Sequence, residues 1–379
     1  MFAEANASSA RAKLRARDER SSASHASAKA SAKEAYLYKK ITEKKVQCQN
    51  CAHFCKILPG KRGICGVREN IDGKLYSLNY GKAIAVYIDP VEKKPFFHFL
   101  PGSYSLSVAT VGCNFACKNC QNWDISQGFK KQPSFAEAST GKEEIPGENL
   151  SPKEIVKNAL KNKLPSISYT YTEPTIFLEY ALDTMKLAKK AGLKNNFISN
   201  GFMSEESAKL VIPYLDANNI DVKSFSDEFY VSNCGARLQP VLDTAKLMKK
   251  SGVWVEITTL AIPTLSDSEE MFRAIARFIY DELGSETPWH ISQFSGTISW
   301  KLQHLPDTPV ETLQKAYQIG KEIGLKYVYT GNVPGLPSED TFCPKCGALC
   351  IDRTNYVIHR HDKRGLCPKC GADLNLILK

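Results

Sequence analysis

The sequence contains no long apolar run. No stretch approaches the roughly 20 consecutive apolar residues that a helix needs to cross a bilayer, which excludes a membrane-spanning protein. No segment near the N-terminus has the apolar core of a secretory signal, so we expect a cytoplasmic protein. Residues 1–35 have little large apolar content apart from Phe2 and Leu14, and we expect this tail to be disordered. Its Arg and Ser content leaves organellar targeting as the alternative.

The composition excludes further classes of protein. The chain has 379 residues, of which 43% are hydrophobic and 24% charged, so it is neither a disordered chain nor a fibre and is long enough for two or three folded modules. The formal net charge is +10, but residues 1–40 hold nine Lys or Arg against four acidic residues, which is half of the surplus. Nucleic-acid binding would therefore have to depend on a local basic patch or on the tail.

The thirteen cysteines fall into clusters. An odd number of cysteines at CxxC-type spacing, without a secretory signal, indicates metal centres in a reducing compartment rather than disulfides. Cys234 stands alone; a structural role and a role as a hydrogen donor facing the cavity are its two interpretations. The clusters are Cys48, Cys51, Cys55 and Cys65; Cys113, Cys117 and Cys120; and Cys343, Cys346, Cys350, Cys367 and Cys370.

Short β-branched or aromatic runs alternate with helical segments between residues 105 and 330. Capping signals at 151–154, 266–269 and 308–311 predict helix starts, and glycines follow the predicted helix ends. This alternation predicts parallel βαβ units in an α/β sheet, and six units favour an open, partial barrel over a closed eight-fold one. We expect the long polar loop 124–150 to be a lid or disordered. The predicted strands are 105–111, 166–171, 196–199, 219–223, 253–259, 288–294 and 325–330, and the glycines are Gly192, Gly252, Gly284 and Gly324.

The central cysteine cluster has the spacing C-x3-C-x2-C. Cys113, Cys117 and Cys120 follow the first predicted strand, so they lie at the end of the sheet that carries the chemistry in strand–helix barrels. Three thiolates can hold three irons of a 4Fe-4S cluster and leave the fourth iron open to a small molecule. A zinc site short of one ligand and a set of buried cysteines are the alternatives.

This spacing resembles that of the radical SAM superfamily. The resemblance implies a 4Fe-4S cluster that binds and reductively cleaves S-adenosylmethionine (SAM), giving a 5′-deoxyadenosyl radical that abstracts hydrogen from a substrate. Polar residues at successive strand ends are similar to SAM-binding positions of that superfamily, although the two glycines that usually precede Glu173 are absent. The SAM-binding residues implied by the resemblance are Thr172, Glu173, Pro174, Asn200, Asp221, Lys223 and His290.

Two further cysteine sets flank the predicted barrel. The C-terminal set, C-x2-C-x20-C-x2-C, predicts a four-cysteine zinc ribbon, with rubredoxin-like iron as the alternative and with Cys350, His359 and His361 as bystanders. The N-terminal set supplies four thiolates within 18 residues, which fits either zinc or an auxiliary 4Fe-4S cluster, and we favour zinc slightly. The ligands are Cys343, Cys346, Cys367 and Cys370 in the first set, and Cys48, Cys51, Cys55 and Cys65 in the second.

Over residues 48–374 the sequence resembles the radical SAM enzymes of the AmmeMemoRadiSam system, which are similar to pyruvate formate-lyase-activating enzyme. The segments that carry this resemblance are 51–55, 63–68, 120–123, 169–174, 289–292 and 329–335; the segment Gln293–Gly296 departs from it. The resemblance implies Memo-like and AMMECR-type partner proteins and leaves the substrate open. The cysteine triplet, the partial barrel and the two docking-sized modules beside it lead us to expect a macromolecular substrate, protein or RNA, and we expect an electron donor of the ferredoxin or flavodoxin type.

These observations divide the chain into four parts: a tail (1–40), an N-terminal four-cysteine module (41–100), a partial radical SAM barrel (101–335) and a zinc-ribbon-like module (336–379). The leading hypothesis is a radical SAM enzyme that abstracts hydrogen. The alternatives are an activase of a glycyl-radical enzyme and a non-catalytic, zinc-bearing scaffold that binds nucleic acid.

Overall fold

The computed structural model describes residues 32–131, 145–333, 335–354 and 356–378. Most of the predicted tail and the middle of the predicted loop 124–150 lie outside the described residues. Within the described ranges, no helix combines the length and the apolar character that crossing a bilayer requires.

The centre of the fold is an eight-stranded sheet. Its first strand, β1, is antiparallel to β2, and every later pair of neighbours is parallel, so the strands β2 to β8 follow one another across the sheet in chain order. All seven predicted strands are present, with ends that shift by at most a few residues, and the mixed α/β class is confirmed. The strands are β1 Ala85–Pro90, β2 Tyr104–Ala109, β3 Ser166–Tyr169, β4 Lys194–Ser199, β5 Ala217–Asp221, β6 Trp254–Ala261, β7 Trp289–Gln293 and β8 Val328–Gly331.

Six longer helices connect the strands. Their buried apolar residues and those of the sheet form the main hydrophobic core. Shorter helical turns lie between them. The helices are α1 Pro152–Lys161, α2 Leu178–Lys190, α3 Glu205–Val211, α4 Gln239–Lys250, α5 Glu269–Phe278 and α6 Val310–Ile323. The short turns are Thr42–Lys44, Val91–Lys93, Trp123–Ser126, Gly128–Lys131, Pro174–Phe177, Ile212–Tyr214, Asp227–Phe229, Tyr230–Cys234, Ile279–Leu283, Gly296–Ile298 and Pro337–Glu339.

The helix starts test the predicted capping signals. The first is confirmed: the Ser151 hydroxyl accepts a hydrogen bond from the Glu154 amide, and the Glu154 carboxylate accepts one from the Ser151 amide. The prediction at Thr308 is wrong, because α6 begins at Val310 and the Thr308 hydroxyl instead bonds the Ala261 carbonyl and the Phe294 amide.

The third capping prediction is wrong by two residues. The residue that caps α5 is Ser268, whose hydroxyl accepts from the Met271 amide. Ser266 bonds the Ile262 amide and the Leu260 carbonyl, so it closes the preceding turn. The glycines predicted to end helices are confirmed. Those after α2, α4 and α6 and the one after the turn Ile279–Leu283 all have positive φ.

Small antiparallel sheets precede and follow the central sheet in the sequence. Residues assigned to the tail begin this structure, because Lys33–Glu34 and Tyr38–Lys40 pair with strands of the N-terminal module. The remaining short strands are Val46–Cys48, Lys56–Ile57, Arg68–Ile71, Lys74–Ser77, Lys82–Ala83 and Glu148–Asn149 on the N-terminal side, and Thr341–Phe342, Leu349–Thr354 and Val357–Arg360 in the C-terminal module.

A buried ion pair fastens the N-terminal module to the barrel. Arg68 donates to both carboxylate oxygens of Glu179 on α2, at 2.5 and 3.1 Å, and Glu179 also accepts from the Tyr36 amide. Both charged side chains are at most 2% exposed. A bidentate pair of this kind fixes the relative orientation of the two side chains as well as the distance between them.

Replacing Glu179 by glutamine is expected to destabilise the protein by about 1.5–3 kcal/mol, because it leaves the buried Arg68 guanidinium without its counter-charge. The measurement is a urea unfolding curve. The exposed pair between Arg273 and Glu322 provides the control, since Arg273→Ala should cost about 0–1 kcal/mol. Equal effects of the two variants would contradict a fastening role for the buried pair.

Candidate functional site

The site is built on the loop that follows β2. The loop begins at Gly112, where φ is +102° and where an added Cβ would lie 2.8 Å from the carbonyl oxygen of Cys65. Only glycine fits this conformation and this close approach without a shift. The N-terminal module therefore lies directly against the start of the cysteine loop.

Hydrogen bonds with residues 233–234 and with Lys130 fix the loop. The amides of Ala116 and Lys118 donate to the carbonyls of Cys234 and Asn233, at 2.8 and 3.0 Å. The Lys130 ammonium donates to the Cys113 carbonyl at 2.8 Å. The loop backbone is thus held before any ligand binds, which is the preorganisation that a cofactor site needs.

The three thiols of the loop are buried or half-buried. Burial raises the pKa of Cys113 and of Cys120, and a hydrogen bond to Cys234 together with burial raises the pKa of Cys117. Thiolates must form when metal binds, so a bound metal has to displace these protons.

The spacing of the thiols discriminates between metals. In the described part of the chain, the only set of three or more possible ligands whose ligand atoms all lie within 4.8 Å of one another is Cys343, Cys346, Cys367 and Cys370. The three loop thiols are therefore spread more widely than the tetrahedron of a zinc ion, where Zn–S bonds of about 2.3 Å put the sulfurs about 3.8 Å apart. A 4Fe-4S cluster, in which each thiolate holds a different iron, needs thiolates that are farther apart than those of a single zinc ion.

The ends of β3 and β4 lie against this loop. Glu173 follows β3, and its carboxylate accepts from Thr175, from the Ser199 hydroxyl at 2.9 Å and from the Asn200 amide at 2.7 Å. Pro174 begins the turn behind it. The carboxylate of Glu173 is buried and fully engaged by its own chain, so it shapes the turn after β4.

Asn200 connects that turn to the cysteine loop. Its side-chain amide donates to Asn114 Oδ1 at 2.8 Å and lies 3.9 Å from the sulfur of Cys113. Thr172 adds a second link, because its hydroxyl donates to the Thr110 carbonyl at the end of β2. Hydrogen bonds thereby join three successive strand ends around the first cysteine.

Asp221 ends β5 and Lys223 follows it, and the two side chains form an ion pair of 2.7 Å. Burial alone would lower the pKa of Lys223, but the Asp221 carboxylate and the thiols of Cys117 and Cys234 raise it well above its ordinary value. A lysine that stays charged beside Cys117 is suited to an anionic centre.

His290 lies in different surroundings. Its Nε2 is 2.7 Å from Glu256 Oε2, and its ring packs on Tyr329 and against the edge of Phe97. Glu256 in turn accepts from the amides of residues 97–99. His290 lines a cavity of about 160 Å³ that also includes Arg353 of the C-terminal module.

Cys234 is completely buried behind the cysteine loop. Its carbonyl holds Ala116, and its sulfur is next to Cys117. With no exposed surface it does not face a cavity, so of its two interpretations the structure favours the structural one.

Sequence reasoning missed a polar cluster on the inner side of β1. The Lys94 ammonium is 2.8 Å from Asp89 and 4.0 Å from the centre of the Tyr171 ring, and the Tyr171 hydroxyl donates to Asp89. Tyr171 stands where the superfamily usually has the first glycine, and its φ of +62° is in the left-handed region. Its carbonyl accepts from Asn122, just after the last loop cysteine. No motif marked this pair, because β1, which carries Asp89, was not among the predicted strands.

Burial lowers the pKa of Lys94 from its ordinary 10.5 to about 8, although the pair with Asp89 opposes this. A base with a lowered pKa in the folded state releases its proton on folding, so stability rises as the pH increases from about 8 to 10.5. Relative to Lys94→Met, the wild-type protein should gain on the order of 3 kcal/mol across this range. Thermal unfolding at several pH values measures it. Lys93→Met, which removes the exposed partner of Asp89, should show the same pH dependence of stability as the wild type. The same pH dependence in Lys94→Met and in the wild type would refute the assignment.

The C-terminal cysteines form a compact metal-binding set. The sulfurs of Cys343 and Cys370 and those of Cys346 and Cys367 are each 3.6 Å apart, close to a zinc tetrahedron. Cys350 is outside the set and bonds the Ala348 carbonyl, and His361 pairs with Asp352. The C-terminal module is joined to residues 97–100 by hydrogen bonds from Arg353 to the Phe97 carbonyl and from the Leu100 amide to the Ile377 carbonyl.

A family model for the radical SAM superfamily matches residues 107–279. The chain is 45% identical to "Uncharacterized protein MJ0808" of Methanocaldococcus jannaschii over 91% of this chain and 100% of the relative. It is 25% identical to the pyruvate formate-lyase-activating enzyme of Clostridium pasteurianum over 44% of this chain and 66% of that enzyme. A solved radical SAM methyltransferase from Sphaerobacter thermophilus is 13% identical, with 61% of this chain and 67% of that chain covered and a TM-score of 0.45.

Proposed function

We propose that the chain is a radical SAM enzyme in which Cys113, Cys117 and Cys120 hold a 4Fe-4S cluster whose open iron binds SAM; the match of residues 107–279 to the radical SAM superfamily supports this. When bound there, the reduced cluster and SAM supply a 5′-deoxyadenosyl radical that takes a hydrogen atom from a substrate. The observation that carries this proposal is the hydrogen-bonded junction of three strand ends around widely spaced thiols. Membership of this superfamily also favours an enzyme over the non-catalytic scaffold.

The residues around the loop have distinct proposed roles. Asn200 orients the Cys113 side of the loop, and Glu173 with Pro174 holds Asn200 in place. Lys223 places a positive charge beside Cys117, where it stabilises the negative charge of a thiolate-bound cluster, and Asp221 orients Lys223.

SAM contacts are proposed for the turn containing Thr172 and for Asn200, Asp221 and Lys223. His290 is proposed to position the inner segment 97–99 through Glu256, because its hydrogen bond is made there. For the C-terminal set we propose a structural zinc ion, since its sulfur spacing is that of a closed tetrahedral site.

A macromolecular substrate is proposed from the surface beside the inner polar cluster. Tyr87 on β1 is 60% exposed and packs edge-on against Tyr171, whose hydroxyl reaches Asp89. Val86, Ile88 and Tyr104 extend this exposed apolar surface. Exposed apolar side chains beside a buried polar cluster are the feature that supports a protein-binding site here.

A second candidate is activation of a glycyl-radical enzyme. The match to the Clostridium pasteurianum activating enzyme, 25% identical over 44% of this chain, favours it. We propose membership of the AmmeMemoRadiSam system from the segments quoted above, with Memo-like and AMMECR-type proteins as partners, a donor of the ferredoxin or flavodoxin type, and a cytoplasmic location.

The test is an anaerobic assay of SAM cleavage. Protein reconstituted with iron and sulfide and reduced with dithionite should form 5′-deoxyadenosine from SAM. No 5′-deoxyadenosine from protein with a verified intact cluster would overturn the proposal. Adding a glycyl-radical enzyme and observing a glycyl radical by EPR would select the second candidate over the first.

A further inference from the structure

The four N-terminal cysteines line one small enclosed cavity. Cys48 ends a strand, Cys51 and Cys55 lie in the turn that follows, and Cys65 closes the next turn. Cys48 and Cys65 are buried, and Cys51 and Cys55 are half-buried. Four thiols from 18 consecutive residues thus converge on a single space, which is the arrangement of a metal site and not of scattered core cysteines.

The spacing of these thiols does not match zinc. In the described part of the chain, no three of them lie within 4.8 Å of one another, whereas all four sulfurs of the C-terminal set do. The thiols of Cys113, Cys117 and Cys120 also lie outside that limit. The molecule therefore contains one cysteine set with the spacing of a zinc tetrahedron and two sets that are spaced more widely, in the direction that the larger iron–sulfur cluster requires.

Two buried side chains that line the same cavity each have a donor with no hydrogen bond in the described structure. Arg68 is 2% and Asn114 1% exposed, and neither Arg68 Nε nor Asn114 Nδ2 makes a hydrogen bond. Buried N–H donors without an acceptor are costly, so an acceptor bound in the cavity would stabilise both side chains. The sulfides and thiolates of an iron–sulfur cluster are acceptors for such donors.

We propose that the cavity formed by Cys48, Cys51, Cys55 and Cys65 is the site of a second 4Fe-4S cluster, coordinated by all four thiolates and hydrogen-bonded by Arg68 and Asn114. This assignment replaces the preference for zinc that the sequence alone suggested. With four protein ligands the cluster has no open iron, so its role is electron transfer or structure, not SAM binding.

The two cysteine sites share a wall. Asn114, which follows the first loop cysteine, lines the N-terminal cavity, and His53 of that cavity bonds the Asn114 carbonyl at 2.8 Å. The Cys65 carbonyl lies against Gly112. A cluster in this position can pass single electrons from a ferredoxin- or flavodoxin-type donor toward the SAM site. In each transfer the electron donor is oxidised and the electron acceptor is reduced by one electron.

The test removes the other iron site and leaves the N-terminal module unchanged. The full-length triple variant Cys113→Ala, Cys117→Ala, Cys120→Ala is reconstituted anaerobically with iron and sulfide. Iron, acid-labile sulfide and zinc are then counted, and EPR spectra are recorded after reduction. We expect about four irons, about four sulfides and about one zinc per chain, with the EPR signal of a reduced 4Fe-4S cluster.

Each other result overturns the proposal. Two zinc ions without sulfide would make the N-terminal site a zinc site, one zinc without iron would leave it without a metal, and iron without sulfide would mean a mononuclear centre. Adding Cys55→Ala and Cys65→Ala should remove the irons, whereas adding Cys234→Ala should not. Because metal content does not depend on SAM cleavage, this result is independent of the proposed activity.

Discussion

Cys117→Ala should reduce formation of 5′-deoxyadenosine to the background of a protein-free reaction. The loss is expected to be complete because the loop has three thiols for three irons, and no other residue of the loop can replace the missing ligand. The iron content should fall by about four per chain, while the second cluster proposed above should retain about four. Anaerobic SAM cleavage with iron and sulfide analysis measures both effects.

Cys234→Ala is the matched control for this variant. The two sulfurs are neighbours, but the contribution of Cys234 to the loop comes from its main-chain carbonyl, which alanine keeps. We expect Cys234→Ala to retain its iron and to cleave SAM. Full iron content with no cleavage in Cys234→Ala would contradict the structural interpretation of this cysteine and support its role as a hydrogen donor. Retained cleavage in Cys117→Ala would disprove the assigned cluster site.

The fold was predictable from local patterns wherever one side chain or one short run decides the structure. The seven predicted strands are present because β-branched and aromatic runs bounded by turn residues favour buried strands. The capping box at Ser151 forms because its two partners are three residues apart. The hydroxyl of Thr308 has the same local signal, but it is used in bonds to Ala261 and Phe294, and such distant contacts leave no trace in a local motif.

The same distinction holds for the candidate site. The cysteine loop and the residues that follow β3, β4 and β5 were identified by motif. The pair of Lys94 and Asp89 was missed, because it becomes a site only when Tyr171, 77 residues later, covers it. The motif at His290 could not reveal that Glu256, on the neighbouring strand, engages its ring. The spacing of residues in the sequence therefore predicted which residues belong to the site. The direction in which each side chain faces depends on tertiary packing.

Gly112→Ala should prevent assembly of the SAM cluster and destabilise the protein by about 2–6 kcal/mol. Two costs add: a non-glycine residue in the left-handed region is strained by about 1–3 kcal/mol, and overpacking adds about 1–3 kcal/mol. The new Cβ would lie 2.8 Å from the Cys65 carbonyl oxygen and 3.0 Å from a Val67 methyl group. Since backbone cannot yield as a flexible side chain does, the cysteine loop and the N-terminal module have to move apart.

Gly192→Ala separates these two costs. Gly192 also has a positive φ, +78°, but nothing lies within 4 Å of its added Cβ, so only the conformational strain remains. Urea unfolding should show a loss of about 1–2 kcal/mol for Gly192→Ala with unchanged iron, and a clearly larger loss with reduced iron for Gly112→Ala. The same stability and iron content in both variants would mean that the contact between Gly112 and Cys65 is not what positions the loop. A reduced iron content in Gly112→Ala alone would show that the N-terminal module supports the cluster loop, because the contact with that module is what distinguishes the two glycines.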